Sequence, residues 1–112
     1  MEKMKEHENF DKLMERDGFL TDFKRVSLFW IIAGNEDLFE KAAAIYNFED
    51  HSINPDILKS DKVDLCGSSR ALVKLGFNLF NGFPADVMET FRNLDEKNYT
   101  LAMGAINMRF KV

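Results

Sequence analysis

The 112-residue sequence predicts an all-α fold, a single-domain bundle (residues 1–112) of about six helices with short connections. Apolar residues recur along most of the chain at helical intervals, and no segment shows the alternation with period two that a half-buried strand requires. Eleven phenylalanines, two tyrosines and one tryptophan supply aromatic bulk with few polar groups, as expected of a core or a buried interface.

The segment from Gly67 to Gly82 predicts the central helix. Ser68 or Ser69 is expected to cap its start by accepting a hydrogen bond from a backbone N–H of the first turn. Gly82 lies where a left-handed residue commonly ends a helix. Because apolar side chains cover most of its circumference, this helix needs neighbours on several sides. The expected core around it contains Phe29, Trp30, Leu72, Leu75 and Leu79.

Three helices are predicted before the central one. Residues 2–16 form a mostly charged helix that ends at Asp17-Gly18. Thr21 is expected to cap a second helix that continues to Ala33, and Asn35 a third. The apolar stripes of the first and third helices are Phe10, Leu13 and Met14, and Leu38, Phe39, Ala42, Ile45 and Tyr46.

The remaining elements are shorter, apart from the last helix. Residues 47–64 are predicted to be irregular, with a turn of helix near Pro55–Lys59. Pro84 is expected to start a short helix, and Asp95 to cap a last helix that ends near Phe110. The short helix is expected to run through Phe91 and to bury Val87, Met88 and Phe91.

Composition restricts the class of partner and the compartment. Fifteen basic and nineteen acidic residues give a net charge of −4, which argues against broad phosphate binding but allows a local basic patch. The single cysteine excludes an intramolecular disulfide and fits a reducing cytoplasm. The charged N-terminus predicts no secretory signal, and the longest apolar run, residues 28–33, is too short to span a membrane. We expect a cytoplasmic protein without a membrane partner.

Catalytic and metal-binding motifs are sparse. The sequence contains no phosphate-binding glycine loop and no zinc-protease helix, and His7 and His51 are its only histidines. His51 follows Glu49 and Asp50, a group interpreted more simply as a solvated turn than as a metal site. We therefore expect no cofactor and no metal.

Cys66 is the one candidate nucleophile. It precedes the central helix, where the helix dipole favours a thiolate. No histidine lies nearby in sequence to act as a base. A buried, unreactive cysteine is therefore the favoured interpretation, and an enzyme that uses Cys66 is an alternative function.

The polar edge of the central helix gives a second alternative. Arg70, Lys74, Asn78 and Asn81 lie on one narrow stripe. Arginine and asparagine are the residue types that bind guanine and adenine edges, so this stripe is a candidate nucleic-acid surface. Its simpler interpretation is the solvated edge of a buried helix. Together with Arg70, the two serines Ser68 and Ser69 are also a candidate site for a small anion.

The last helix carries more apolar surface than a terminal helix needs. One stripe contains Tyr99, Ala102, Met103, Ile106 and Phe110, and a second contains Leu101, Ala105, Met108 and Val112. Gly104 and Ala105 are small enough to let another helix approach closely. We therefore identify Leu101, Gly104, Ala105, Met108 and Val112 as a candidate self-association surface. The alternative is that the bundle itself covers both stripes.

Three segments carry a family resemblance. They are FWIIAGNEDL at residues 29–38, VDLCGSSRAL at 63–72 and LGFNLFNG at 75–82. They are similar to a family of short uncharacterised proteins of Gram-positive bacteria, catalogued only as a domain of unknown function. The resemblance implies a stand-alone cytoplasmic domain and carries no activity, cofactor or catalytic residue. From the residues themselves, the leading functional hypothesis is a helical protein–protein interaction module, with homodimerisation as its candidate mode.

Overall fold

The computed structural model describes residues 2–18, 22–59 and 63–110, and the predicted all-α class is confirmed. The regular elements other than α-helix are two short strands, β1 (Tyr46–Asn47) and β2 (Ser52–Ile53), and a 3-10 helix at Pro55–Leu58. The α-helices in these ranges are α1 (Glu2–Arg16), α2 (Phe23–Ala33), α3 (Glu36–Glu40), α4 (Ala42–Ile45), α5 (Gly67–Asn81), α6 (Val87–Arg92) and α7 (Glu96–Phe110).

Helix α2 lies at the centre of the bundle, where it packs against α1, α3, α5 and α7. Its second half is apolar on all sides, so it must be covered all round. Of the predicted core, Phe29, Leu72, Leu75 and Leu79 are buried, whereas Trp30 is only partly buried and packs against the edge of the core.

Two glycines allow the close packing around α2. A Cβ atom at Gly34 would overlap the side chain of Leu101 on α7, and one at Gly76 of α5 would lie 2.8 Å from Cδ1 of Leu28. The absence of these side chains therefore lets α5 and α7 approach α2 closely.

Several predicted helix ends are confirmed. Asn35 caps α3 by accepting from the backbone N–H of Leu38 at 3.1 Å, and Asp95 caps α7 by accepting from that of Asn98 at 2.8 Å. Gly82 ends α5 in the left-handed conformation, with φ +84°. The predicted helical turn near Pro55 is the 3-10 helix.

Other ends differ from the predictions. Neither Ser68 nor Ser69 caps α5, because the helix already begins at Gly67 and both serines lie inside its first turn. Helix α2 is capped by Asp22, which accepts from the N–H of Arg25 at 2.9 Å. Thr21, the predicted cap, lies outside the described residues.

The predicted third helix and the predicted short helix at Pro84 also differ from the structure. The third is interrupted at Lys41, which divides it into α3 and α4. The short helix starts after Asp86, whose carboxylate accepts from the N–H of Met88 at 2.8 Å, and not at Pro84. The N–H groups of the first turn are satisfied by this cap, so the helix begins there.

The segment predicted to be irregular contains a short hairpin. Strands β1 and β2 are antiparallel, with Tyr46 opposite Ile53 and Asn47 opposite Ser52. Among the helices described, none is long and apolar enough to cross a membrane.

Candidate functional site

The candidate self-association surface on α7 is largely covered by the chain itself. Leu101 and Ala105 are buried in the core, Met108 is partly buried and Val112 lies outside the described residues. Gly104 faces Trp30, and a Cβ atom there would lie 3.1 Å from the indole nitrogen. The small residues of α7 therefore serve the packing between α7 and α2 within one chain.

The other apolar stripe of α7 is left partly in solvent, since its Ala102 is buried in the core and its Ile106 is partly buried. Tyr99, Met103 and Phe110 on α7 are 49%, 37% and 69% exposed, and Val87 and Met88 on α6 are 71% and 72% exposed. We call these five side chains the α6–α7 face. Within the described residues, the other large exposed apolar side chain is Phe23 on α2. Val87 and Met88 were expected to be buried, and this expectation is wrong because α6 turns them outward.

The two helices of this face contact each other and enclose a recess. The ring of Phe91 on α6 meets that of Tyr99 on α7 edge to face, with centroids 5.8 Å apart. A recess of about 160 Å³ lies beside them, lined by side chains that include Val87, Phe91, Ile106 and Phe110. The α6–α7 face thus combines projecting apolar groups with a small apolar depression.

The polar stripe of α5 is engaged in bonds within the chain. Arg70 is partly buried, and its Nη1 donates to the carbonyl of Leu58 at 2.7 Å. Asn78 donates to the carbonyl of Phe83 at 3.0 Å, while Lys74 is partly buried. Arg70 and Asn78 therefore hold the connections before and after α5, and binding a base edge would require them to release these carbonyls.

Ser69, the second serine at the start of α5, faces an acidic side chain. Ser69 is buried and its hydroxyl donates to Oδ2 of Asp37 at 2.9 Å. Nζ of Lys41 lies 2.7 Å from Oδ1 of Asp37 and forms an ion pair with it. The hydrogen bond from Lys41 holds the pKa of the Asp37 carboxyl below its ordinary value. The Asp37 carboxylate thus already occupies the position beside Ser69 at which the sequence suggested a small-anion site.

Cys66 is exposed, so the prediction of a buried cysteine is wrong. Its Sγ lies 3.4 Å from the hydroxyl of Ser68 and 3.3 Å from that of Ser69. These hydrogen bonds, the one to Ser68 first, lower the pKa of the thiol from 9.0 to about 7. The thiolate is therefore accessible at neutral pH, which favours reaction with electrophiles.

A buried polar cluster was not predicted from the sequence. Asp17, at the end of α1, is fully buried. Its Oδ2 accepts from the hydroxyl of Tyr46 at 3.1 Å and lies 3.3 Å from Nε of Arg25. Its Oδ1 lies 2.7 Å from Nδ1 of His51. Residues from α1, α2 and the hairpin therefore converge on one carboxylate.

His51 is part of this cluster and not a simple solvated turn. It has a φ of +57°, and its carbonyl accepts from Nη2 of Arg25 at 3.1 Å. Burial raises the pKa of the Tyr46 hydroxyl from 10.0 to about 12. Among the described residues, no group of three or more His, Cys, Asp or Glu side chains is arranged to hold a metal ion. The cluster is best explained as an anchor for the hairpin.

Comparison with known proteins gives one match. Residues 1–112 match a family described as a family of unknown function, DUF6075. No curated protein and no solved structure matches the chain.

Proposed function

The chain belongs to the family of unknown function DUF6075, and we propose that it is a protein–protein interaction module that forms a homodimer through its α6–α7 face. The observation that carries this proposal is the concentration of exposed apolar side chains there. Five large apolar groups of α6 and α7 are between 37% and 72% exposed. Exposed apolar side chains gathered on two neighbouring helices commonly mark an interface.

A second copy of the chain is the proposed partner because the α6–α7 face is complementary to itself. The exposed residues Glu89 and Arg92 lie on the same helix as Val87 and Met88 and have opposite charges. A twofold axis brings the same patch of each copy together, so Glu89 of one copy can lie near Arg92 of the other. The projecting Phe110 and the neighbouring recess also lie on this one face.

The test is the oligomeric state of variants that keep the fold. Met88 and Phe110 are about 70% exposed, so Met88→Glu and Phe110→Glu remove little from the core. Sedimentation equilibrium at micromolar concentration is expected to show a dimer for the native chain and a monomer for each variant. Phe23→Glu, at an exposed phenylalanine outside the face, is the matched control and is expected to remain dimeric.

Two results would contradict the proposal. One is a native chain that stays monomeric throughout the micromolar range. The other is a dimer that Phe23→Glu weakens as much as Phe110→Glu does, because the contact would then not depend on the α6–α7 face. Circular dichroism of each variant confirms that its helices are retained.

A further inference from the structure

Helices α1, α2 and α7 enclose a groove of about 910 Å³ that shares no residue with the α6–α7 face. We call it the Trp30 groove. The indole of Trp30 lines it together with Gly34 of α2 and Gly104 of α7. His7 of α1 lies over one side, with its ring centroid 5.6 Å from that of Trp30. The volume and the aromatic lining are typical of a site for a small organic molecule.

The charges around the groove favour a cation. Glu6, Asp95 and Glu96 line it with three carboxylates, against the single ammonium group of Lys97. Lys97 lies 3.9 Å from Glu6, so part of its charge is already compensated within the protein. The face of an indole ring attracts ammonium groups as well. Both the carboxylates and the indole ring of the groove therefore favour a positively charged ligand.

A small recess continues the groove toward α1. It has a volume of about 80 Å³ and shares Glu6, Gly34 and Lys97 with the groove. Asn9 lines this recess and is only 5% exposed. No fully buried side-chain nitrogen or oxygen of the described residues lacks a hydrogen-bond partner. The Asn9 amide is therefore not an orphaned buried group, and it contributes to the site as a polar lining of the recess that can bond to a ligand.

The recess itself is electrically balanced. Lys5 and Glu36, which also line it, form an ion pair at 3.1 Å. The Asn9 amide offers both a donor and an acceptor. A neutral group with the same two functions, such as a carboxamide or a hydroxyl, therefore suits the recess better than a second charge.

We infer that the Trp30 groove binds a small organic cation, with its ammonium group between Trp30 and the carboxylates of Glu6 and Glu96 and a neutral hydrogen-bonding group at Asn9. This site is independent of dimerisation, since none of its residues belongs to the α6–α7 face. Either proposal stands if the other fails.

Three probes of nearly equal shape test the charge selectivity. Benzylammonium, benzyl alcohol and benzoate share one ring and differ in charge. Trp30 is the only tryptophan, so its fluorescence reports directly on the groove. Benzylammonium is expected to change this fluorescence saturably and with the highest affinity, and benzoate to have no saturable effect. Equal responses to all three probes, or no saturable response to benzylammonium, overturn the inference.

A pair of matched substitutions locates the binding site. Glu96→Gln removes an exposed carboxylate from the first turn of α7 at the groove, and Glu40→Gln removes an exposed one from the end of α3 outside it. For an exposed ion pair, the loss of affinity for benzylammonium at Glu96→Gln is expected to be about two- to fivefold. Glu40→Gln is expected to leave the affinity unchanged, and equal effects of the two substitutions refute the assignment.

The role of Asn9 is tested with a carboxamide added to the probe. We expect 4-(aminomethyl)benzamide to bind the native chain more tightly than benzylammonium and to shift the side-chain amide resonances of Asn9. This gain is expected to be absent in Asn9→Leu, which has a similar shape, while benzylammonium binding is retained. No gain in the native chain, or an equal gain in Asn9→Leu, overturns the assignment of the recess. The resonance shifts decide the question if Asn9→Leu does not fold.

Discussion

The thiol of Cys66 shows how strongly the position of one residue decides its chemistry. The sequence places it before a helix, where the dipole favours a thiolate, but exposure depends on the path of the preceding loop. Residue types do not specify that path. The hydroxyls of Ser68 and Ser69, expected to cap α5, lie close to Sγ instead.

We expect Cys66 to react with iodoacetamide with a pH midpoint near 7 in the folded chain. The hydrogen bond from Ser68 is the largest cause of the lowered pKa, so Ser68→Ala is expected to move the midpoint upward. Mass spectrometry at a series of pH values measures the alkylation rate. The chain unfolded in guanidinium is the control, with a midpoint close to the ordinary value. Identical midpoints in the folded and unfolded chains would show that the serines do not stabilise the thiolate.

At the scale of elements, local signals identified three helix boundaries that a single side chain or backbone angle decides. Asn35, Asp95 and Gly82 end or start helices as predicted, because their bonds join groups only a few residues apart. The break at Lys41 and the start of α6 at Asp86 were missed. The sequence offered a proline before α6 and a continuous apolar stripe through Lys41, and the Asp86 cap that sets the start of α6 was overlooked.

The orientation of α7 was not predictable from its own sequence. Both of its stripes are apolar and have helical spacing, so periodicity alone does not say which one faces the core. Gly34 decides the question, because it lets Leu101 of the second stripe reach α2. The first stripe is consequently divided, with Ala102 buried in the core and Tyr99 and Phe110 exposed.

We therefore expect Gly34→Ala to lower the free energy of unfolding by about 1–3 kcal/mol, as overpacking of a core usually does. Gly34 has a φ of −83°, so alanine suits its backbone and the cost comes from the clash with Leu101. Urea denaturation measures it. Gly67→Ala is the matched control, since no neighbouring atom lies within 4 Å of its Cβ position. Equal stability of the two variants would mean that α7 does not pack closely against α2.

At the scale of the whole molecule, the cluster around Asp17 joins segments that are far apart in the sequence. His51 and Tyr46 lie 34 and 29 residues from Asp17, and Arg25 contacts all three. Such separations leave no local pattern, which is why the sequence analysis treated Asp17 only as a helix break. The cluster fixes the hairpin against α1 and α2, and a buried carboxylate with these partners is costly to disrupt.

The Tyr46 hydroxyl makes this anchor sensitive to high pH. Burial raises its pKa from 10.0 to about 12, so the folded state holds the phenol proton more tightly than the unfolded state. The resulting stability is fully present below pH 10 and is lost as pH rises from 10 to 12. Tyr46→Phe also removes the hydrogen bond to Asp17, which is expected to cost about 1–3 kcal/mol at neutral pH.

We therefore expect urea denaturation to show a steep loss of stability between pH 10 and pH 12 for the native chain and a shallower loss for Tyr46→Phe. The other titratable groups are the same in both chains, so the informative quantity is the difference between the two profiles. Tyr99→Phe, at the exposed tyrosine of α7, is the matched control and should keep the native profile because Tyr46 remains. Parallel profiles for the native chain and Tyr46→Phe would show that the phenol is not held protonated by the fold, and the anchor would then have to rest on Arg25 and His51 alone.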